Sequence, residues 1–355
     1  MVDGGGSRAR TARRALCASL AVVALVSLLP TWGCAGREES TREPGDVATL
    51  AEFDVECQEP EAMKDDATMF DESTPVSEVM TDRAFRGWGR LIFPADEGYM
   101  RGSTLGDLSF TWYSCVDPAK TVEVCNYLNE RAQMGNVVFL DLYTEEEKAA
   151  DPRKRDTGLV FFKGGEDSPF AIVSAGGGFA YVAAMHDSFP QALELSKRGY
   201  NAFALIYRPG AQTACEDLAR ATEVVFGNAD ELGVSTEGYS YWGGSAGGRM
   251  SAWVSSMGSS AFGARPLPKP AAAVIQYTGL SECSASDVPT YSNVGDSDGI
   301  ADWRVMERRL QAMTELGIPT EFHVYEGLGH GFGLGAGTEA EGWIDEAISF
   351  WEKQR

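Results

Sequence analysis

The stretch YSYWGGSAGGRMSAWVSSM, Tyr239–Met257, changes period in its middle. YSYW has the aromatic, strand-preferring character of a buried sheet residue run. Met250, Val254 and Met257 then recur at helical spacing. Between the two lies GGSAGG, which leaves Ser245 among neighbours with little or no side chain. A strand that turns directly into a helix needs a sharp bend, and only small residues fit one. The segment therefore predicts strand, tight turn and helix in immediate succession.

The same alternation extends on both sides. Apolar runs FAIVSA (170–175), AFALIY (202–207), AAAVIQY (271–277), PTYSNV (289–294) and EFHVYE (321–326) are separated by segments of helical period. This pattern predicts an α/β fold, a doubly wound, mostly parallel sheet with helices on both faces. Thr213 with Glu216 has capping-box spacing, Ala214, Leu218, Ala221 and Val225 share a face, and Gly233 supplies a stop. Thr338 with Glu341 repeats the device ahead of Ile344, Ala347 and Trp351. A third helix, from Trp303, is expected to end at Gly317 and Pro319. In such sheets ligands bind outside the carboxyl ends of the strands.

Ser245 stands at one of those ends, and Gly243, Ser245 and Gly247 satisfy G-x-S-x-G. The pattern also occurs at Gly295, Ser297 and Gly299. Context separates the two. A serine nucleophile at an elbow sits in strained backbone, and the helix that follows offers its positive end to a developing oxyanion. Ser245 has that context; Ser297 lies between Asp296 and Asp298, whose charge opposes an oxyanion. The serine needs a base, usually histidine. Of the three histidines, His323 lies within an expected strand and His186 before a helix, where capping or packing explains it. His330, in the glycine-rich loop GLGHGFG after the last strand, is the expected base.

Composition limits the alternatives. The chain has 355 residues, 44% of them hydrophobic, enough for a sizeable core. A net charge of −22 argues against nucleic acid or an anionic membrane surface as partner. With three histidines, no HExxH and no CxxC, neither a metal nor another cofactor is expected.

The amino-terminal segment reads differently. Arg8, Arg10, Arg13 and Arg14 precede an apolar run from about Ala15 to Leu29, the layout of an export signal over residues 1–33. Arg13-Arg14 carries a faint twin-arginine character. Cys34 after Gly33 looks like the lipid-modified cysteine of a bacterial lipoprotein, although Thr31 and Trp32 depart from the usual signal. Lipid anchoring on the outer face of the cytoplasmic membrane is the expectation, with plain secretion as the alternative. Residues 34–78 read as an acidic tether. Residues 79–165 form an extension that contains the strand-like NVVFLDLY and GLVFFKG, and 166–355 form the core of the domain. Cys57, Cys115, Cys125, Cys215 and Cys283 are an odd set, so one thiol stays free or pairs elsewhere.

Taken together, SAGGGF, ALIYRPG, the run from Cys215 to Met250 and GLGHGFG resemble the hormone-sensitive-lipase-like and acetyl-esterase branch of the α/β-hydrolases. They are also similar to bacterial carbohydrate esterases of the acetylxylan/feruloyl type. The resemblance covers about residues 170–351, with Tyr207-Arg208 and Asp217 at supporting positions. It departs at Ala175, where a histidine is usual, and at Gly244, where an acid or histidine is usual. The resemblance implies the chain order serine, acid, histidine. Asp298 is best placed for the acid, with Asp296 and Glu282 as alternatives. It also implies that the glycines after the first core strand supply oxyanion donors, expected at Gly177, Gly178 and Ala246.

The expected activity is ester hydrolysis through an acyl-enzyme on Ser245, with short acyl groups removed from carbohydrate or small-molecule esters. A prolyl-oligopeptidase-like peptidase and a non-catalytic binding lipoprotein are the alternatives. The segment GSSAFGARPLPKP (258–270) offers no long amphipathic lid, so any cap must come from the amino-terminal region.

Overall fold

The computed structural model describes residues 69–96, 98–113 and 116–355. The expected export signal, Cys34, the tether up to residue 68, Cys57 and Cys115 lie outside the described residues. In chain order the strands are β1 (Met100–Arg101), β2 (Ser109–Phe110), β3 (Phe139–Leu140), β4 (Gly158–Phe162), β5 (Ser168–Ser174), β6 (Asn201–Ile206), β7 (Val234–Gly244), β8 (Ala272–Gln276), β9 (Thr290–Gly295) and β10 (Thr320–Tyr325). The helices are α1 (Val76–Thr81), α2 (Pro118–Gln133), α3 (Glu145–Ala150), α4 (Ala184–Asp187), α5 (Phe189–Lys197), α6 (Ala211–Gly227), α7 (Ala229–Leu232), α8 (Ser245–Met257), α9 (Trp303–Glu315) and α10 (Trp343–Glu352).

Eight strands form one sheet in the order β10-β9-β8-β7-β5-β6-β4-β3. Strands β5 to β10 pair in parallel, whereas β4 is antiparallel to β6 and to β3. Every apolar run of the core is a strand, because a parallel strand covered on both faces must be apolar throughout. β5, β6, β8 and β9 are buried over nearly their whole length. The sheet grows from β5 toward β6 on one side and toward β7 on the other, so the switch point lies between β5 and β7. Ser174 pairs with Gly243 there, which sets the loop after β5 beside the turn after β7.

The helices are where expected, but two of their starts differ. α6 begins at Ala211 after Gly210, and the Thr213 hydroxyl donates to the Pro209 and Gly210 carbonyls instead of capping. α10 begins at Trp343 after Gly342, while Thr338 and Glu341 close the preceding turn. The capping box that does form is Thr144 with Glu147 at the start of α3. Gly233, left-handed at φ 60°, ends α7, and Gly317, at φ 81°, follows α9 as expected.

The expected tether ends earlier than residue 78. Phe70 and Val76 are buried, Phe70 exchanges two hydrogen bonds with Asn126, and α1 starts at Val76. The extension shares one apolar core with the rest of the domain, Phe161 stacking on Phe203 and Phe162 packing on Phe189, and polar contacts add to this. Lys120 on α2 donates to Glu194 on α5 (2.9 Å), and Glu194 also accepts from Lys197 and Arg198. Burial pushes the Glu194 carboxyl up, but these three donors outweigh it and bring it down to about 2. Arg208 binds Asp217 through side chain and backbone, and Tyr143 of the extension donates to the same carboxylate (2.5 Å). Cys125, Cys215 and Cys283 carry free thiols, the first two buried.

Candidate active site

Ser245 opens α8 at φ 51°, a left-handed conformation that costs a non-glycine residue free energy. The surrounding glycines make the bend feasible. A Cβ on Gly247 would lie 1.9 Å from the Ser174 carbonyl oxygen, and one on Gly243 would lie 2.6 Å from the same atom. β5 and the elbow therefore approach as closely as bare backbone permits. The first-turn N–H groups of α8, Ala246 among them, have no carbonyl one turn earlier in the helix to bind.

β9 and β10 pair with Gly295 opposite Tyr325, so the loops that follow them emerge side by side. One carries Asp298 and the other His330. His330 Nδ1–H donates to Asp298 Oδ2 (2.8 Å), and Ser245 Oγ–H donates to His330 Nε2 (3.0 Å). Asp298 Oδ1 accepts from the Ile300 and Ala301 N–H groups (2.7 and 2.8 Å), which fixes the carboxylate. Its side chain has no exposed surface, and that of His330 is 7% exposed. A row of this kind can take the serine proton and stabilise the imidazolium that results.

The alternative acids point elsewhere. Asp296 is exposed and binds the Ser297 hydroxyl and the Gly327 N–H. Glu282 is exposed and binds the Ser281 hydroxyl. His323 faces Glu321 and stacks on Tyr291, away from the row.

Beside the row runs Gly176-Gly177-Gly178. Gly176 stands against Ser245, since a Cβ on it would lie 2.8 Å from Ser245 Cβ. Its N–H donates to Asp187 (2.7 Å). The N–H groups of Gly177 and Gly178 have no partner among the described residues. Tyr207 donates to the Ala175 carbonyl (2.7 Å), so the Ala175–Gly176 peptide is held on both sides.

Asp187 was not singled out by motif, yet it is fully buried at the centre of this arrangement. It accepts from Gly176 N–H, from the Tyr277 hydroxyl and, at 3.4 Å, from the Tyr113 hydroxyl. Burial raises its carboxyl above the ordinary value, against the opposing pull of His186 and of the Tyr277 and Gly176 donors. Asp187 also explains the departure at Gly244, because a Cβ there would meet its carboxylate at 2.5 Å. The one sequence signal was an acid within the apolar segment AYVAAMHDSF. His186 is buried and held below its usual value by that burial. Its Nε2–H donates to the Gly331 carbonyl (2.7 Å), which pins the loop that carries His330.

The extension reaches the same place. The Tyr113 ring lies 4.9 Å from that of His186 and 6.1 Å from that of His330, and it excludes a side chain at both Gly176 and Gly331. Trp112 lies over Gly178. Among the described residues no three His, Cys, Asp or Glu side chains converge to hold a metal ion.

No protein-family model and no curated protein matches the chain. Solved structures do. An acetyl ester-xyloside bifunctional hydrolase from Caldicellulosiruptor lactoaceticus is 20% identical, with a TM-score of 0.53 over 61% of this chain and 95% of its own. An esterase from Thermogutta terrifontis, bound to propionate, is 20% identical with a TM-score of 0.49 over 56% and 89%. An α/β-hydrolase from a Medee basin deep-sea metagenome library is 19% identical with a TM-score of 0.48 over 56% and 92%. The first match and the strand order agree: the chain has the α/β-hydrolase fold.

Proposed function

We propose that this protein is a serine carboxylic-ester hydrolase that removes short acyl groups from carbohydrate or small-molecule esters. The observation that carries the proposal is the hydrogen-bonded row Ser245–His330–Asp298 at a strained strand-to-helix elbow. In the proposed reaction His330 Nε2 takes the Ser245 proton as Oγ attacks the ester carbonyl. Asp298 stabilises the imidazolium, which then protonates the departing alcohol. Water, deprotonated by His330, hydrolyses the acyl-enzyme and returns Ser245 to its starting state. Gly177 and Gly178, with Ala246 at the head of α8, are the proposed oxyanion donors; one such donor is commonly worth about 10²–10³ in rate.

The fold relative named as an acetyl ester-xyloside hydrolase makes acetylated sugars reasonable substrates. In this reading Tyr113, packed against Gly176 and Gly331, closes the acyl side of the row, so that a long acyl chain stays unburied. Each methylene left unburied forgoes about 0.8 kcal/mol. Acetyl and propionyl esters should therefore exceed octanoyl esters in kcat/KM. A panel of nitrophenyl esters, acetylated glycans and aminoacyl anilides on the purified protein tests this, and preference for decanoyl esters or for anilides would overturn it. Export and lipid attachment at Cys34 remain part of the proposal; palmitate labelling should disappear in Cys34→Ala.

A further inference from the structure

Five residues other than glycine have left-handed φ among the described residues: Trp112, Asp167, Phe179, Ser245 and Tyr277. Four of them surround the row. Ser245 is the elbow, and Tyr277 binds Asp187 and packs edge-on against His330. Trp112 and Phe179 are not accounted for by those duties.

Trp112, at φ 73°, occupies the third position of a tight turn closed by the Tyr113 N–H to Phe110 carbonyl bond (3.1 Å). Positive φ at that position is ordinarily left to glycine. Here the turn carries the bulkiest side chain instead, and the ring is not buried: Trp112 is 41% exposed. The turn is held from several sides. Thr111 N–H donates to the Tyr99 carbonyl, Tyr181 donates to the Thr111 carbonyl, and the indole stacks against Tyr181 at 5.9 Å. Strain maintained this firmly around an exposed ring points to use of the ring rather than to packing.

Its position suggests the use. The indole lies 2.9 Å from where a Cβ of Gly178 would be, over the glycine loop itself. Along the same rim Phe179 stacks on Trp253 at 6.0 Å, and Arg249 lies over Trp253 with Nη2 donating to the Thr278 carbonyl. Arg249 is one helical turn beyond Ser245, and Glu282 is the acid whose charge it feels. A flat apolar face beside hydrogen-bonding groups suits an occupant with an apolar C–H face and a rim of hydroxyls. A fatty alcohol would offer Arg249 and Glu282 no hydrogen-bonding group.

We infer that Trp112 is the platform of a sugar subsite, on which a pyranose ring of an acetylated glycan stacks while its ester is presented to Ser245. The inference rests on the esterase reading for its chemistry, but the binding part can be tested separately. Trp112→Gly removes the indole and relieves the positive φ at once, so its melting temperature should equal or exceed that of the wild type. On acetylated xylotetraose its kcat/KM should fall about ten-fold or more, chiefly through KM, while ethyl acetate, which has no ring to stack, changes less than about two-fold. Trp112→Phe should retain part of the preference. Equal losses on both esters, or no loss on either, would overturn the platform. Calorimetric binding of acetylated xylotetraose to Ser245→Ala, with and without Trp112→Gly, separates the two claims. Binding that weakens about ten-fold supports the subsite even if the wild type hydrolyses no ester. Binding indifferent to Trp112 contradicts it even if the esterase reading holds.

Discussion

The core, residues 166–355, and the extension, 69–165, both reach the candidate site, but they are built on different terms. In the core each element follows from a local pattern: an apolar strand buried on both faces, then a helix with an apolar stripe. The extension has strands of two residues apart from β4, and it shares the apolar core, through Val124 and Leu128 of α2 and Phe161 stacked on Phe203, while ion pairs and hydrogen bonds such as Lys120 to Glu194 and Tyr143 to Asp217 fasten its rim. The core supplies the row Ser245–His330–Asp298. The extension supplies rings that shape the space around them. In the proposed reaction, chemistry falls to elements that fold by their own pattern, and selectivity to elements that take their form from contact.

This division predicts where mutations act. The largest effect belongs to the row. Asp298→Asn should lower kcat by about 10³–10⁴ with folding unchanged, because the imidazole loses both its orienting partner and the stabilising charge. Asp296→Asn should change kcat by less than about three-fold. A reversed outcome would place the acid two residues earlier and break the assignment of chemistry to the Asp298–His330 pair.

A smaller effect is expected at the seam between the regions. Asp187→Ala should reduce kcat about 10–100-fold and leave KM nearly unaltered, since it frees Gly176 N–H and loosens the glycine loop without touching a reacting atom. Matched changes in KM and kcat with a large fall in melting temperature would mean that Asp187 serves the fold alone.

The smallest effect lies in the docking of the extension. Glu194 sits below its unfolded value, near 2 rather than 4.5, so its contribution to stability is complete above about pH 4.5 and is lost as pH falls toward 2. Glu194→Gln should lower the melting temperature by a few degrees at neutral pH, with the two proteins converging near pH 2. Parallel curves across that range would show that the ion cluster adds nothing to docking.

Legibility in the sequence followed the same division. Ser245 and His330 could be read because an elbow needs small flanking residues and a swinging histidine needs glycines, both of which leave local marks. Asp298 was only the best of three acids, since a carboxylate is placed by the register of β9 on β10, which no local pattern records. The two expected capping boxes had the right spacing, but Gly210 and Gly342 began the helices. Trp112, Tyr113 and Asp187 were invisible for a stronger reason. Each acquires its place from residues more than sixty positions away: Trp112 from Gly178, Tyr113 from Asp187, Asp187 from Tyr277.

The most direct test of the central claim is to expose the purified protein to a fluorophosphonate and locate the adduct by peptide mass spectrometry. Ser245, activated by His330, should carry a single adduct that vanishes in Ser245→Ala and persists in Ser297→Ala. Labelling that survives in Ser245→Ala, or a wild-type protein that never labels, would contradict the account.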